Sequence, residues 1–232
     1  GIAAGTTGYA NFDPSDLVEI LSGLSADGWQ VLTHAQGDRG CREILDLYSA
    51  ALGERSHTDH RWRLEHCLLI DGEDLSRARA LGVSPSFHVD HVRWYGPELR
   101  DDILGPQRCE HIMPIGTALG HGHRVSLHAD SPMYPPGPLR LVRTAVTRLT
   151  RAGRLLGPAE AIGIEQALRA ITIDAAWQLR LDDRVGSIEP GKLADFVVLE
   201  ADPMTVDPSD LDKLEVRSTW LSGHPVSGPL ST

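Results

Sequence analysis

Cysteine is scarce: Cys41, Cys67 and Cys109 are the only three in 232 residues. An odd, scattered set excludes a disulfide framework and fits a reducing compartment, so a cytoplasmic location is expected. No apolar run approaches the roughly 18 residues a bilayer span requires, so no membrane partner is expected. The opening stretch GIAAGTTGYANFDPSDL lacks a basic region followed by an apolar one and does not read as a secretory leader. No dense basic patch occurs and the formal charge is −10, which argues against nucleic acid as a partner. No repeat of fixed period and no low-complexity tract stands out.

What the sequence does hold is apolar mass and histidine. Hydrophobic residues make up 41% of the chain, enough for a sizeable core in one large domain or two small ones. Eleven histidines is a high count; any one of them is as readily solvated surface as function, so position must decide. Short β-type runs are read at Trp29–His34 (WQVLTH), Arg61–Cys67 (RWRLEHC), Val83–His88 (VSPSFH) and Arg124–Asp130. Helical spacing predicts helices over Gly40–Leu52, Asp74–Leu81, around Gln107–Leu119 with a break near Pro114, and over Pro138–Leu149. Strands alternating with helices mean βαβ units and a parallel sheet. After Pro158 the pattern changes to helices over Ala159–Ala170 and Ile173–Leu181, then the turn-rich GSIEPGKLADFVVLEADP with a strand at Ala194–Leu199. A terminal hairpin of Val216–Leu221 and His224–Val226 follows.

The stretch VSLHADSP, Val125–Pro132, concentrates the chemistry. In a strand, Ser126, His128 and Asp130 share one face while Val125, Leu127 and Ala129 share the other. The same period puts Gln30, Leu32 and His34 together in the first strand, Trp62, Leu64 and His66 in the second, and Ser84, Ser86 and His88 in the third. Each set ends, at its C-terminal tip, in a group that binds metal or moves a proton, and that end of a parallel sheet is where α/β sites are built. The second strand fits least well. Its other face carries Arg61, Arg63 and Glu65, so either those charges pair with each other or the strand is shorter and shifted.

Converging imidazoles suit a zinc-like divalent cation. Such an ion lowers the pKa of its water, and a nearby carboxylate takes the proton and returns it to a leaving group. Asp130 suits that role and is placed to touch the metal as well. Asp38 in HAQGDRG is read as a helix N-cap or early-turn acid. Cys67 falls opposite His66 and is read as packing, which argues against a Cys67–His66 nucleophilic pair.

HAQGDRG, RLEHC, SFHVDH and LHADSP, in this order and spacing, resemble the amidohydrolase superfamily and its branch amidohydrolase family 3; the similarity runs from about Tyr9 to Val226. The tail GSIEPGKLADFVVLEADP resembles the segment that leaves that family's barrel for a small β-sandwich. The resemblance implies a (β/α)8 TIM-type barrel and metal-dependent hydrolysis of amide-like, non-peptide carbon–nitrogen bonds in a small-molecule substrate. His34 and His66 match the family's metal ligands at the ends of barrel strands five and six. Asp130 matches the strand-eight aspartate, general base and sometimes ligand, to one or two ions, zinc being the expected metal. His88, His91 and His128 either line the substrate pocket or hydrogen-bond to the ligands from outside. Trp94, Tyr95 and Tyr134 are loop aromatics that either wall the pocket or pack.

The family's strand-one H-x-H pair and its bridging lysine have no match. The one H-x-H, His121-Gly122-His123, lies too close to the last strand and reads as a loop. With four strands counted against about eight for a full barrel, the expectation is a partial barrel equivalent to strands 5–8 over residues 1–182, followed by β-sandwich strands over 183–232. A half-barrel leaves sheet edges unpaired, so association with a second copy, as a homo-oligomer, or with a missing N-terminal half is expected. The alternative is a catalytically inactive, self-associating half-barrel without metal.

Overall fold

The computed structural model describes residues 11–227. Residues 1–10, with Tyr9 and most of the stretch read as leaderless, and residues 228–232 lie outside the described residues, as do the outer ends of both expected domains.

The described chain begins with a helix the sequence reading did not include, α1 (Pro14–Ala26). Its start is chemically explicit: the Asp13 side chain accepts a hydrogen bond from the Ser15 amide at 2.9 Å, and Pro14 occupies the first turn, where a missing N–H costs nothing. Then β1 (Leu32–Ala35), α2 (Asp38–Leu52), β2 (Arg63–His66), α3 (Gly72–Ala80) and β3 (Ser84–Phe87) alternate as expected. Next come α4 (Asp90–Glu98), α5 (Pro106–Cys109), α6 (Ile115–Gly120) and β4 (Ser126–Leu127). Trp94 and Tyr95, taken as loop residues, lie in α4. The helix expected near 107–119 is divided into α5 and α6, with Pro114 capping the second piece.

The four strands form one parallel sheet in the order β1-β2-β3-β4. The fourth is much shorter than the expected Arg124–Asp130: two residues pair with β3, and His128 to Asp130 run on past the ladder. Between them α2 buries Cys41, Leu45, Tyr48 and Leu52, at helical spacing, against the sheet. Trp62 and Leu64 of the second strand segment are fully buried on that helix-covered side, with the Tyr48 and Trp62 rings 4.8 Å apart.

The expected facing of this second strand is therefore corrected. Arg63 and Glu65, not Trp62 and Leu64, share the face carrying Gln30 and Ser126. Arg63 Nε donates to Glu65 at 2.9 Å, so those two charges pair with each other while Arg61 pairs with Asp59 and Asp182, and the strand is also shorter than expected.

The chain continues through α7 (Pro138–Thr147), α8 (Ile164–Ala170) and α9 (Ile173–Gln178). The last of these closes the N-terminal end of the sheet. The buried Gln178 side chain donates to Pro85 O at 2.9 Å and accepts from Ser126 Oγ at 2.6 Å, while its own carbonyl accepts from Arg63 at 2.8 Å. An antiparallel sheet of β5 (Phe196–Leu199), β6 (Val216–Leu221) and β7 (His224–Ser227) ends the described chain. Between β5 and β6, a 3-10 turn over Pro208–Lys213 inserts the fully buried Leu211 into the main core. Asp212 stands 3.4 Å from Arg143 and 3.7 Å from Arg93. Among the described residues no helix is long and apolar enough to cross a membrane.

Candidate metal centre

The site is built where the four strands end. His34 lies one residue before the end of β1, exposed on the open face. His66 closes β2, and strict alternation after Glu65 sends its ring to the helix side. The backbone prevents this: His66 has φ 78° and Cys67 φ 52°, left-handed values that non-glycine residues adopt at a cost of about 1–3 kcal/mol. The His66 ring stands with its centroid 4.4 Å from that of His34 and 5.0 Å from that of His128. Asp130, past β4, is a third left-handed residue at φ 51°.

His88 follows β3 directly and is held twice. Its amide donates to His66 O at 3.4 Å, and its ring Nε2 is 3.1 Å from Ala129 O. A carbonyl only accepts, so Nε2 carries the proton and Nδ1 keeps a free lone pair. The His128 amide donates to Phe87 O at 3.0 Å, and its Nε2 is 3.9 Å from Glu65 Oε2. His91, in the first turn of α4, packs its ring 4.0 Å from that of His88. Tyr134 covers these rings, 5.3 Å from His88 and stacked 5.8 Å from Trp94. Arg140 anchors the loop that carries Tyr134, donating to Pro135 O and to the buried Asp90 at 2.7 Å.

Burial and crowding favour the neutral form of His66, His88, His91 and His128. Burial, and then the neighbouring His91, His128 and His66, push His88 down to about 2. Burial, then His66 and His128, take His91 to about 4. His66 and His128 are lowered first by burial, against the opposing negative fields of Glu65 and Asp130. Neutral imidazole is the metal-binding form.

His66 Nδ1, His91 Nδ1 and His128 Nε2 are buried with no hydrogen-bond partner among the described residues. Such orphaned nitrogens call for an explanation, and a cation supplies one. One ligand atom each from His66, His88 and His128 lies within 4.8 Å of the others. The residues present thus fit a divalent cation.

Of the residues singled out in the sequence, the structure brings His34, His66, His88, His91 and His128 into one cluster. Asp130 lies close enough for its charge to act on His66, His91 and His128, and is exposed, outside the three-histidine group. Asp38 opens α2 and bonds Arg39 N and Arg108, an early-turn acid as read. His123 is a buried residue bonded to Leu75 O at 2.8 Å, away from the strand tips. Cys67 is fully buried, and burial pushes its thiol well up, so it offers no thiolate beside His66. Glu65, facing His128, was missed as a site residue because the facing of its strand was inverted.

A model of the amidohydrolase family matches residues 2–227. The N-substituted formamide deformylase of Arthrobacter pascens is 31% identical over 217 residues, covering 92% of this chain and 40% of its own length. Protein LONG AFTER FAR-RED 3 of Arabidopsis thaliana is also 31% identical, over 93% of this chain and 37% of its own. The chain therefore spans about two-fifths of the length of these curated relatives. Among solved structures, an uncharacterized metal-dependent hydrolase from Pyrococcus horikoshii shares the fold, with TM-score 0.75 and 24% identity over 88% of this chain and 40% of that one.

Proposed function

The chain belongs to the amidohydrolase family, and from that premise we propose that it is the C-terminal part of a metal-dependent hydrolase of non-peptide carbon–nitrogen bonds. In this reading the parallel sheet is one half of a (β/α)8 barrel, formed by residues 1–182. Residues 183–232 contribute strands of a small β-sandwich. The reading is supported by the coverage of the relatives, by strand order β1-β2-β3-β4 with one sheet neighbour for each outer strand, and by helices on one face.

His34 and His66 would hold the ion, zinc or a zinc-like metal, with Asp130 beside them. When bound, such an ion supplies Lewis acidity and makes water acidic near neutral pH. Asp130, exposed at its strand tip, takes a proton from the attacking water and delivers it to the leaving nitrogen. His88, His91 and His128 line the substrate pocket, and Tyr134 with Trp94 shields it from bulk water. The formamide deformylase relative suggests small amide-like substrates. The observation that carries the reading is the ring contact of His34 and His66, 4.4 Å apart, made by a strained backbone at His66. Its test is amine release from N-substituted formamides and other small amides, by the complete protein in which this sequence occurs. Asp130→Asn is expected to lower kcat by about 10²–10⁴-fold, the usual worth of a general base; an unchanged kcat refutes the assignment.

A second reading, a self-associating half-barrel without activity, is favoured by Leu32, 50% exposed on the open face of β1, and by Trp29, 63% exposed just before that strand. A second copy, or the rest of a longer chain, would cover them. Light scattering separates the cases: a clean monomer defeats self-association.

A further inference from the structure

We infer that the cleft at the N-terminal end of the parallel sheet, at the far end from the histidine tips, binds a phosphate-type oxyanion, with Arg79, Arg124 and Ser84 as its donors. The inference does not rest on the hydrolase reading and uses none of its site residues.

The cleft lies where the segments entering β2, β3 and β4 run side by side, and Trp177 of α9 forms a wall. These strands are neighbours in the sheet, so their entry loops build the site together. Its volume is about 210 Å³, room for about seven waters at about 30 Å³ each, or for a phosphate group with a small body attached.

Charge decides the class of ligand. The guanidiniums of Arg61, Arg79 and Arg124 line the cleft. Arg61 is already neutralised, 3.0 Å from Asp59 and 2.6 Å from Asp182. Asp59 is the one carboxylate of the lining, and it belongs to Arg61. Arg79 and Arg124 are exposed and make no ion pair or side-chain hydrogen bond with the described residues. Two positive charges are thus left over, in a chain whose formal charge is −10. A doubly charged oxyanion balances them and gains charge-assisted hydrogen bonds.

The donors are placed before a ligand arrives. The Arg124 guanidinium stacks over Trp177, 4.9 Å from the ring centroid, which restricts it in advance of binding. Arg79 reaches the loop before β4 at Gly122, whose φ of 78° suits glycine, and its Nε lies 3.8 Å from the position a Cβ there would take. Ser84 opens β3, is 3% exposed and lines the same cleft. Its Oγ is buried with no hydrogen-bond partner among the described residues. Such a hydroxyl calls for an acceptor, and an oxyanion oxygen is one.

The test is calorimetric titration of the complete protein in which this sequence occurs, with inorganic phosphate and separately with glycerol 3-phosphate. Low ionic strength is used, because salt screens exposed charges. One saturable site per chain is expected. Arg79→Gln and Arg124→Gln are expected to weaken binding by about 10–100-fold, the loss of a hydrogen bond to a charged group, and Ser84→Ala by about 3–10-fold. Tighter binding of the monoester supports a site for phosphorylated small molecules, and tighter binding of the free ion supports a site for phosphate itself. Binding that Ser84→Ala leaves unchanged is diffuse attraction to surface arginines and overturns the inference. So does binding that survives Arg124→Gln, or no saturable binding of either anion. Both arginines are exposed, so their variants, checked by circular dichroism, decide the matter if Ser84→Ala unfolds. The hydrolase reading fails separately, through an unchanged kcat of Asp130→Asn.

Discussion

Gln178→Ala tests how the sheet that carries the histidines is held in register. Gln178 is fully buried and joins two strands: its amide donates to Pro85 O on β3 at 2.9 Å, and its Oε1 accepts from Ser126 Oγ on β4 at 2.6 Å. His88 follows Pro85 by three residues and His128 follows Ser126 by two. Truncation removes these two hydrogen bonds of about 1 kcal/mol each, with a long and weak third from Gln178 Nε2 to Arg124 O at 3.4 Å, and leaves a buried hydroxyl and carbonyl at about 1 kcal/mol or more apiece, partly relieved by water from the open face. The loss of stability is therefore about 3 kcal/mol. At about 2–4 °C per kcal/mol for a chain of this size, the melting temperature drops by about 6–12 °C. Urea unfolding followed by tryptophan fluorescence reads the change. Gln178→Leu keeps the volume without the hydrogen bonds and should lose at least as much. A Gln178→Ala protein within about 0.5 kcal/mol of the original refutes the reasoning, because α9 would then not be joining β3 to β4.

The metal-free chain should lose stability in mild acid. His88 and His91 titrate ordinarily near 6.5 but are held at about 2 and about 4 in the fold, so below about pH 6.5 the unfolded chain takes up protons the folded one refuses. Stability is full above that pH and falls toward pH 4, by about 1–3 kcal/mol for His91 alone; urea midpoints that stay flat over this window contradict it. Leu211→Ala should cost about 2–4 kcal/mol, since its fully buried side chain leaves a cavity in the main core. A cost under about 1 kcal/mol in the same urea assay shows that the 208–213 turn is not part of the cooperative unit.

Much of this architecture was legible in the residues. The alternation of short β-type runs with helical stripes such as Leu45, Tyr48 and Leu52 specifies a parallel sheet, and period two marks the tips as His34, His66, His88 and Asp130. The facing of β2 was not legible, because period-two reasoning assumes extended backbone throughout and His66 departs from it at φ 78°. His66 reaches the site by that departure, while Trp62 and Leu64 pack on the other side. Helix α1 has its capping signal in Asp13-Pro14, yet Ile20 within it is 52% exposed, so no clean apolar stripe announces it. Helix α4 is disguised by Gly96-Pro97, a pair that ordinarily breaks helices. The grouping of His88 and His128 with His66 depends on strand order, which places β2, β3 and β4 side by side. Sequence spacing carries no trace of that distance.

Anomalous diffraction from zinc-loaded crystals, recorded on both sides of the zinc absorption edge, asks whether the strand tips hold a metal. The expected result is one strong peak about 2.0–2.1 Å from a His66 nitrogen. A map without a peak at the strand tips, or with zinc held only elsewhere, as by His121 and His123, contradicts it.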